Sequence, residues 1–115
     1  MKIVVYQKPT CTTCRKVYEA LKESGVDFEA VDYYVEPIPE TKLVELLQKM
    51  RMRPRDLLRT NEAVYKQLAL GSRELSDAEI VALMVQHPDL IQRPIVEKGG
   101  RAILARPAER LKEIL

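Results

Sequence analysis

The chain has 115 residues, of which 46% are hydrophobic and 31% charged, and its 19 basic and 17 acidic side chains leave a formal charge of +2. This composition excludes a disordered or collagenous chain, and the length suits one domain that buries a core without staples. Near-balanced charge argues against a general nucleic-acid or membrane-surface binder, and no apolar run approaches the roughly 20 residues that span a bilayer.

The opening "MKIVVYQKPT" is too brief for the apolar core of a signal peptide and lacks its small-residue cleavage site, so a cytoplasmic protein is expected. "KIVVY", Lys2 to Tyr6, is β-branched and aromatic and is closed by Pro9, the pattern of a short buried strand. From Thr12 the pattern turns helical, with Val17, Ala20 and Leu21 on one face and Gly25 placed as a C-cap. Cys11 is therefore expected at a helix N-terminus. "DFEAVDYY", Asp27 to Tyr34, alternates as a second strand before "EPIP" breaks it. A helical crossover makes the two strands parallel, with a right-handed connection.

Leu43, Leu46, Leu47 and Met50 form one face of a helix between Pro39 and Pro54. Short helices are expected at about 54–59 and about 61–69, the second ended by Gly71. "SDAEIVALMVQHP" opens on the capping box Ser76-x-x-Glu79 and stops at Pro88. "RPIVEKGGRAILAR" is a β-hairpin pattern from about Ile95 to Ala105, and Pro107 begins a last helix. The element order is that of an α/β, thioredoxin-like fold of glutaredoxin type. It implies a four-stranded mixed sheet, with a helical segment inserted at about 40–90 between the β-α-β and β-β-α halves. Residues 1–115 are expected to form a single domain.

The chemistry centres on "KPTCTTCRK", Lys8 to Lys16, which holds both cysteines. A zinc site needs about four ligands, and the chain offers Cys11, Cys14 and one distant histidine, His87, so no metal is expected. His87 reads as a helix-end residue without a catalytic role. Two buried small hydrophobes are the plain alternative for the cysteines. Placement favours chemistry instead: the helix dipole and unpaired N–H groups at a helix N-terminus favour thiolate over thiol, and Arg15 and Lys16 add positive charge. Cys14 follows one turn later on the same face, where it can attack a disulfide formed at Cys11. Cys11 is thus the candidate nucleophile and Cys14 the resolving thiol, and the pair by itself names no substrate.

Three arginines have unusual neighbours. Arg59 ends "LLR" before Thr60-Asn61, Arg93 precedes Pro94, and Arg106 precedes Pro107. In a thioredoxin-like fold the proline before the third strand is typically cis and lies beside the cysteine helix, which would deliver Arg93 to Cys11. An arginine is a rigid fork matched to oxyanions, although any one of the three taken alone reads equally as a surface residue.

"YQKPTCTTCRK", "LLRTN", "QHPDLIQRPIV" and "LARP" resemble, in order and spacing across nearly the whole chain, the motifs of the glutaredoxin-coupled arsenate reductase (ArsC) family. By that resemblance Cys11 corresponds to the arsenate-attacking cysteine, Arg59, Arg93 and Arg106 to three anion-binding arginines, and Arg15 to the basic residue after the active loop. The resemblance implies no bound cofactor, glutathione as co-substrate, glutaredoxin or thioredoxin as reductant, a monomer, and no direct partner in nucleic acid or membrane. Two positions depart from the family pattern: Cys14 stands where Ser or Thr is common, and Gln7 where a His is often found. Cys14 allows an internal disulfide and hence thioredoxin as reductant. The same departures admit a redox-switch regulator of the related Spx type, which binds RNA polymerase. A general thiol-disulfide reductase is also compatible with the residues.

Overall fold

The structure is a computed structural model and describes residues 2–115. The chain divides into two compact units. One comprises the chain up to Glu36 together with Arg93–Leu115, and the other is Pro37–Gln92.

The first unit carries a four-stranded sheet in the order β2-β1-β3-β4, built from β1 (Ile3–Gln7), β2 (Phe28–Asp32), β3 (Ile95–Lys98) and β4 (Arg101–Leu104). β1 pairs in parallel with β2 and antiparallel with β3, and β3 pairs antiparallel with β4. This is the expected mixed sheet. Helix α1 (Thr12–Ser24) makes the crossover. Its Val17 and Leu21 pack with Ile3, Val5, Val96 and Ile103 from one face of the sheet and with Leu111 and Ile114 from the C-terminal segment. Leu21, Val5 and Val17 are fully buried, and burying such a side chain contributes about 1.5–3 kcal/mol.

Two expectations for this unit are corrected, and a third is extended. The second strand ends at Asp32 rather than Tyr34, because the Asp32 carboxylate and carbonyl accept hydrogen bonds from the N–H groups of Tyr34, Val35 and Glu36 and turn the chain. The last helix is a 3-10 helix, Ala108–Glu113. Its anchors Leu111 and Ile114 lie three residues apart, and a three-residue turn places both on one buried side. Both the Arg93-Pro94 and Arg106-Pro107 peptide bonds are cis, of which the sequence had pointed to the first alone.

The second unit holds α2 (Glu40–Met50), α3 (Ala63–Gln67) and α4 (Asp77–Gln86), with 3-10 turns at Pro54–Leu57 and Pro88–Leu90. Leu43, Leu46, Leu70, Ile80 and Met84 supply its buried side chains. The capping box is formed: Ser76 accepts from the Glu79 N–H, and the Glu79 carboxylate accepts from the Ser76 N–H. The helix expected at 54–59 is shorter, because Leu58 bridges to Ile91 in antiparallel fashion, and Arg59 N–H donates to the Leu90 carbonyl at 2.7 Å. α3 also stops early, where Ala69 adopts a left-handed conformation with φ 52°. Gly71 serves a different purpose from the terminator it was expected to be, since a Cβ there would meet the Tyr65 hydroxyl at 3.0 Å.

Gly25 does terminate α1, with φ 74° and its N–H donating to the Lys22 carbonyl. Nothing lies within 4 Å of a Cβ built on it, so Gly25→Ala meets backbone strain alone. Urea denaturation is expected to show a loss of about 1 kcal/mol with an unchanged m-value. A loss of several kcal/mol would mean that the turn is packed.

Candidate active site

The sheet register collects the reactive residues at one end. β1 ends with Gln7 opposite Asp32 and Tyr6 opposite Ile95. Continuing these registers by one or two residues brings Tyr33 and Tyr34 level with Lys8 and Pro9 on one side, and Pro94 and Arg93 level with Gln7 and Lys8 on the other. β4 extends the row: Ala105 N–H donates to the Pro94 carbonyl at 2.9 Å, and Arg106 Nη1 donates to the Arg93 carbonyl at 3.3 Å. All these groups stand where β1 feeds into α1.

Cys11 is the N-cap of α1 and is partly exposed. A turn sets it there, with Cys11 N–H donating to the Lys8 carbonyl at 3.0 Å. Its sulfur accepts from the Cys14 N–H at 3.4 Å, the bond that a capping side chain makes at a helix start. Burial pushes the Cys11 thiol up. That effect is outweighed by the hydrogen bonds from the Cys14 backbone and thiol and by the hydrogen bond and charge of Arg93, leaving its pKa at about 7 instead of 9.0. Cys14 is fully buried. Burial, opposed by the Lys8 backbone and reinforced by the charge on Cys11, pushes the Cys14 thiol up to about 12. At neutral pH one sulfur is a nucleophile and the other stays a thiol within hydrogen-bond reach of it.

Arg93 is only 5% exposed. Burial opposes its charge, but Tyr33, Tyr34 and the Cys11 sulfur more than offset this and raise its pKa. One guanidinium nitrogen donates to the Tyr34 hydroxyl at 3.4 Å. Pro94, joined to Arg93 by a cis bond, is buried beside the same strand end.

Cys11, Cys14, Pro94, Arg93 and Arg106 are thus brought together, and the last two touch through the Arg93 carbonyl. Arg59 belongs to the second unit, where its guanidinium pairs with Glu62 at 2.9 Å. Arg15 is exposed on α1 and bounds a groove of about 1030 Å³ with Thr12, Lys16 and Asp32. That groove is lined by neither Cys11 nor Arg93, so the candidate site is placed by the thiol and the charges around it. His87 caps the C-terminal end of α4, as expected. Among the described residues no cluster of three or more His, Cys, Asp or Glu could hold a metal ion, and no helix is long and apolar enough to cross a membrane.

Sequence reasoning missed Tyr33, Tyr34 and Lys8. The signal for the tyrosines was Asp32, whose side chain begins a turn two residues on; Lys8, one residue before Pro9, gave none.

The sequence profile of the ArsC family matches residues 6–114. An arsenate reductase of Yersinia enterocolitica is 36% identical over 113 residues, 98% of this chain and 80% of that protein. A second relative, the uncharacterized protein YfgD of Escherichia coli K12, is 36% identical over 115 residues, 99% of this chain and 97% of that protein. Among solved structures, an arsenate reductase from Vibrio cholerae superposes with a TM-score of 0.92 at 37% identity, covering 100% of this chain and 98% of that one.

The two thiol pKa values give opposite pH signs. Cys11 has a lowered value, so its contribution to stability is present above pH 9.0 and lost as pH falls through about 7. Cys14 has a raised value, so its contribution is present below pH 9.0 and lost as pH rises toward 12. Alkylation by iodoacetamide, followed by mass spectrometry, is expected to label Cys11 with a midpoint near pH 7 and to leave Cys14 unlabelled in the folded protein. Arg93→Ala should move the midpoint upward, and an unshifted midpoint would remove Arg93 from the thiolate's surroundings.

Proposed function

The chain belongs to the ArsC family and is an ArsC-type thiol oxidoreductase; from that premise we propose that it reduces arsenate to arsenite through the Cys11 thiolate. The observation that carries the proposal is a thiolate at about pKa 7 in hydrogen-bond reach of a buried arginine, with a second arginine bonded to the first.

In the proposed cycle the Cys11 sulfur attacks arsenic(V), forming an S–As bond as one As–O bond breaks and hydroxide leaves, taking up a proton as water. Arg93 and Arg106 hold the remaining oxygens and offset the charge that gathers on them. The N–H groups at the start of α1 add donors. Arg59 enters as a further oxyanion ligand on the sequence match, as does Arg15. A second thiol then supplies its electron pair: it attacks Cys11, the S–As bond breaks with both electrons going to arsenic, and arsenite leaves behind a disulfide. Two thiols are oxidised as one arsenic(V) becomes arsenic(III).

Two identities fit that second thiol. Glutathione would leave a mixed disulfide for glutaredoxin to clear. Cys14 would leave an internal disulfide for thioredoxin, and its reach to the Cys11 sulfur supports this route. In neither case does the cycle call for a bound cofactor.

The coupled assay supplies arsenate, NADPH and either glutathione with glutaredoxin and glutathione reductase, or thioredoxin with its reductase. Arsenate-dependent NADPH consumption is expected with at least one system, and Cys11→Ser should abolish it. Arg93→Ala and Arg106→Ala should each lower kcat/KM by on the order of 10²-fold, the usual loss for a donor to developing negative charge. Arg59→Ala should raise KM for arsenate. Turnover with neither system would overturn the proposal.

The same assay separates the two routes. Cys14→Ser should retain activity with glutathione and glutaredoxin but lose it with thioredoxin if the internal disulfide closes the cycle. Retained activity in both would remove Cys14 from resolution.

A further inference from the structure

Arg93 has to meet two opposing demands. It must stay charged although only 5% exposed, and its long, rotamer-rich side chain must keep one orientation toward the Cys11 sulfur. The turn after β2 supplies what answers both. Asp32 forms its hydrogen bonds to the N–H groups of Tyr34, Val35 and Glu36, and these fix Tyr33 and Tyr34 at the end of the strand, level with the active loop. The two rings lie against each other, 5.1 Å between centroids and tilted by 36°. Tyr33 is 1% exposed and itself hydrogen-bonds the Arg93 side chain, while Tyr34 is half-buried with its hydroxyl 3.4 Å from Arg93 Nη1. On the same ring sits the Lys8 ammonium, 4.8 Å from the centroid, a cation–π contact. Lys8 also belongs to the turn that sets Cys11, since its carbonyl accepts from the Cys11 N–H.

We propose that Tyr34, held by Lys8 and Tyr33, is a positioning residue that fixes the Arg93 guanidinium against the Cys11 sulfur. A phenol suits this task because its oxygen accepts from the guanidinium without cancelling the positive charge on which the thiolate depends. Lys8 ties the ring to the loop that carries Cys11, so the sulfur and its arginine are referenced to one rigid point. The role is independent of which oxyanion Cys11 attacks, and its failure is therefore distinguishable from failure of the arsenate reading. The charged and titratable groups that act on Cys11 are Cys14 and Arg93; Tyr33 and Tyr34 face Arg93 in turn, and the Lys8 ammonium faces the Tyr34 ring.

The test is the pH profile of Cys11 alkylation in the full chain, with circular dichroism and Tm measured alongside. Tyr34→Phe keeps the ring and its contact with Lys8 but removes one of the two phenolic oxygens that bond Arg93, the one on the ring that Lys8 holds. It is expected to move the alkylation midpoint upward, slowing labelling below the midpoint by about threefold while the alkaline plateau rate is unchanged. A merely structural role would lower Tm and leave the midpoint in place, and that result overturns the proposal.

Lys8→Met tests the clamp and supplies a second variant should Tyr34→Phe not fold. It is expected to move the midpoint in the same direction, and Lys8→Arg should restore it. Direct electrostatic action of Lys8 on the sulfur is separated by the double variant: in a Tyr34→Ala background the effect of Lys8→Met should disappear if Lys8 acts through the ring. An undiminished effect there would overturn the clamp. If Tyr34→Phe shifts the alkylation profile but no arsenate turnover is found, the positioning role stands and the substrate assignment falls.

Discussion

A thiolate partly withdrawn from water is the constraint around which this protein is arranged. Burial raises the cost of charge on Cys11, and the fold answers with donors whose positions it fixes in advance: the Cys14 N–H at the start of α1, the Cys14 thiol, and Arg93. For Cys14, burial and the neighbouring Cys11 outweigh the hydrogen bond from the Lys8 backbone and the charge of Arg93, and it keeps its proton. Two cysteines three residues apart therefore part in acidity: burial raises Cys14, while hydrogen bonds from Cys14 and Arg93 and the charge of Arg93 outweigh burial at Cys11.

Positive charge reaches the sulfur through sheet register more than through proximity in sequence. β1 runs into the active loop, β3 begins beside its end, and β4 ends beside the start of β3. Arg93 and Arg106 each stand at a strand terminus just before a cis-linked proline, and the hydrogen bond from Arg106 to the Arg93 carbonyl joins them. By the same geometry, the parallel pairing of β1 with β2 delivers Tyr33 and Tyr34. Arginine is retained here, although burying a cation is costly, because phenolic oxygens and a thiolate take the place of water around it.

Departures from the expected elements follow one rule: side-chain bonding and packing overrode local propensity. Asp32 cut the second strand short with an Asx turn, so aromatic residues that favour strands became a turn level with the loop that carries Cys11. Leu58 and Arg59 left the helix expected at 54–59 to pair with Leu90, Ile91 and Gln92, so that Leu58 is extended and the Arg59 N–H is tied to the Leu90 carbonyl. In the C-terminal segment the spacing of Leu111 and Ile114 favoured a tighter helix than Pro107 alone suggested. Gly71 marked a close ring contact and not a helix end.

Sequence alone determined the parts that depend on short-range pattern. These are the β-α-β opening, the placement of Cys11 at a helix N-terminus, the capping box of α4, the hairpin, and the motifs that named the family. It also marked Arg93 and Arg106, since an arginine before a proline at a strand boundary is visible in one dimension. Only the tertiary structure decided which groups act on the thiolate. Arg93 is 82 residues from Cys11 (93 − 11) and Tyr34 is 23 away (34 − 11). Their convergence rests on the pairing of β1 with two different strands, and propensity and periodicity carry no register between elements so far apart. Acidity has the same origin, because the pKa of a cysteine reports desolvation and neighbouring charge, and both exist only once the chain has closed around it.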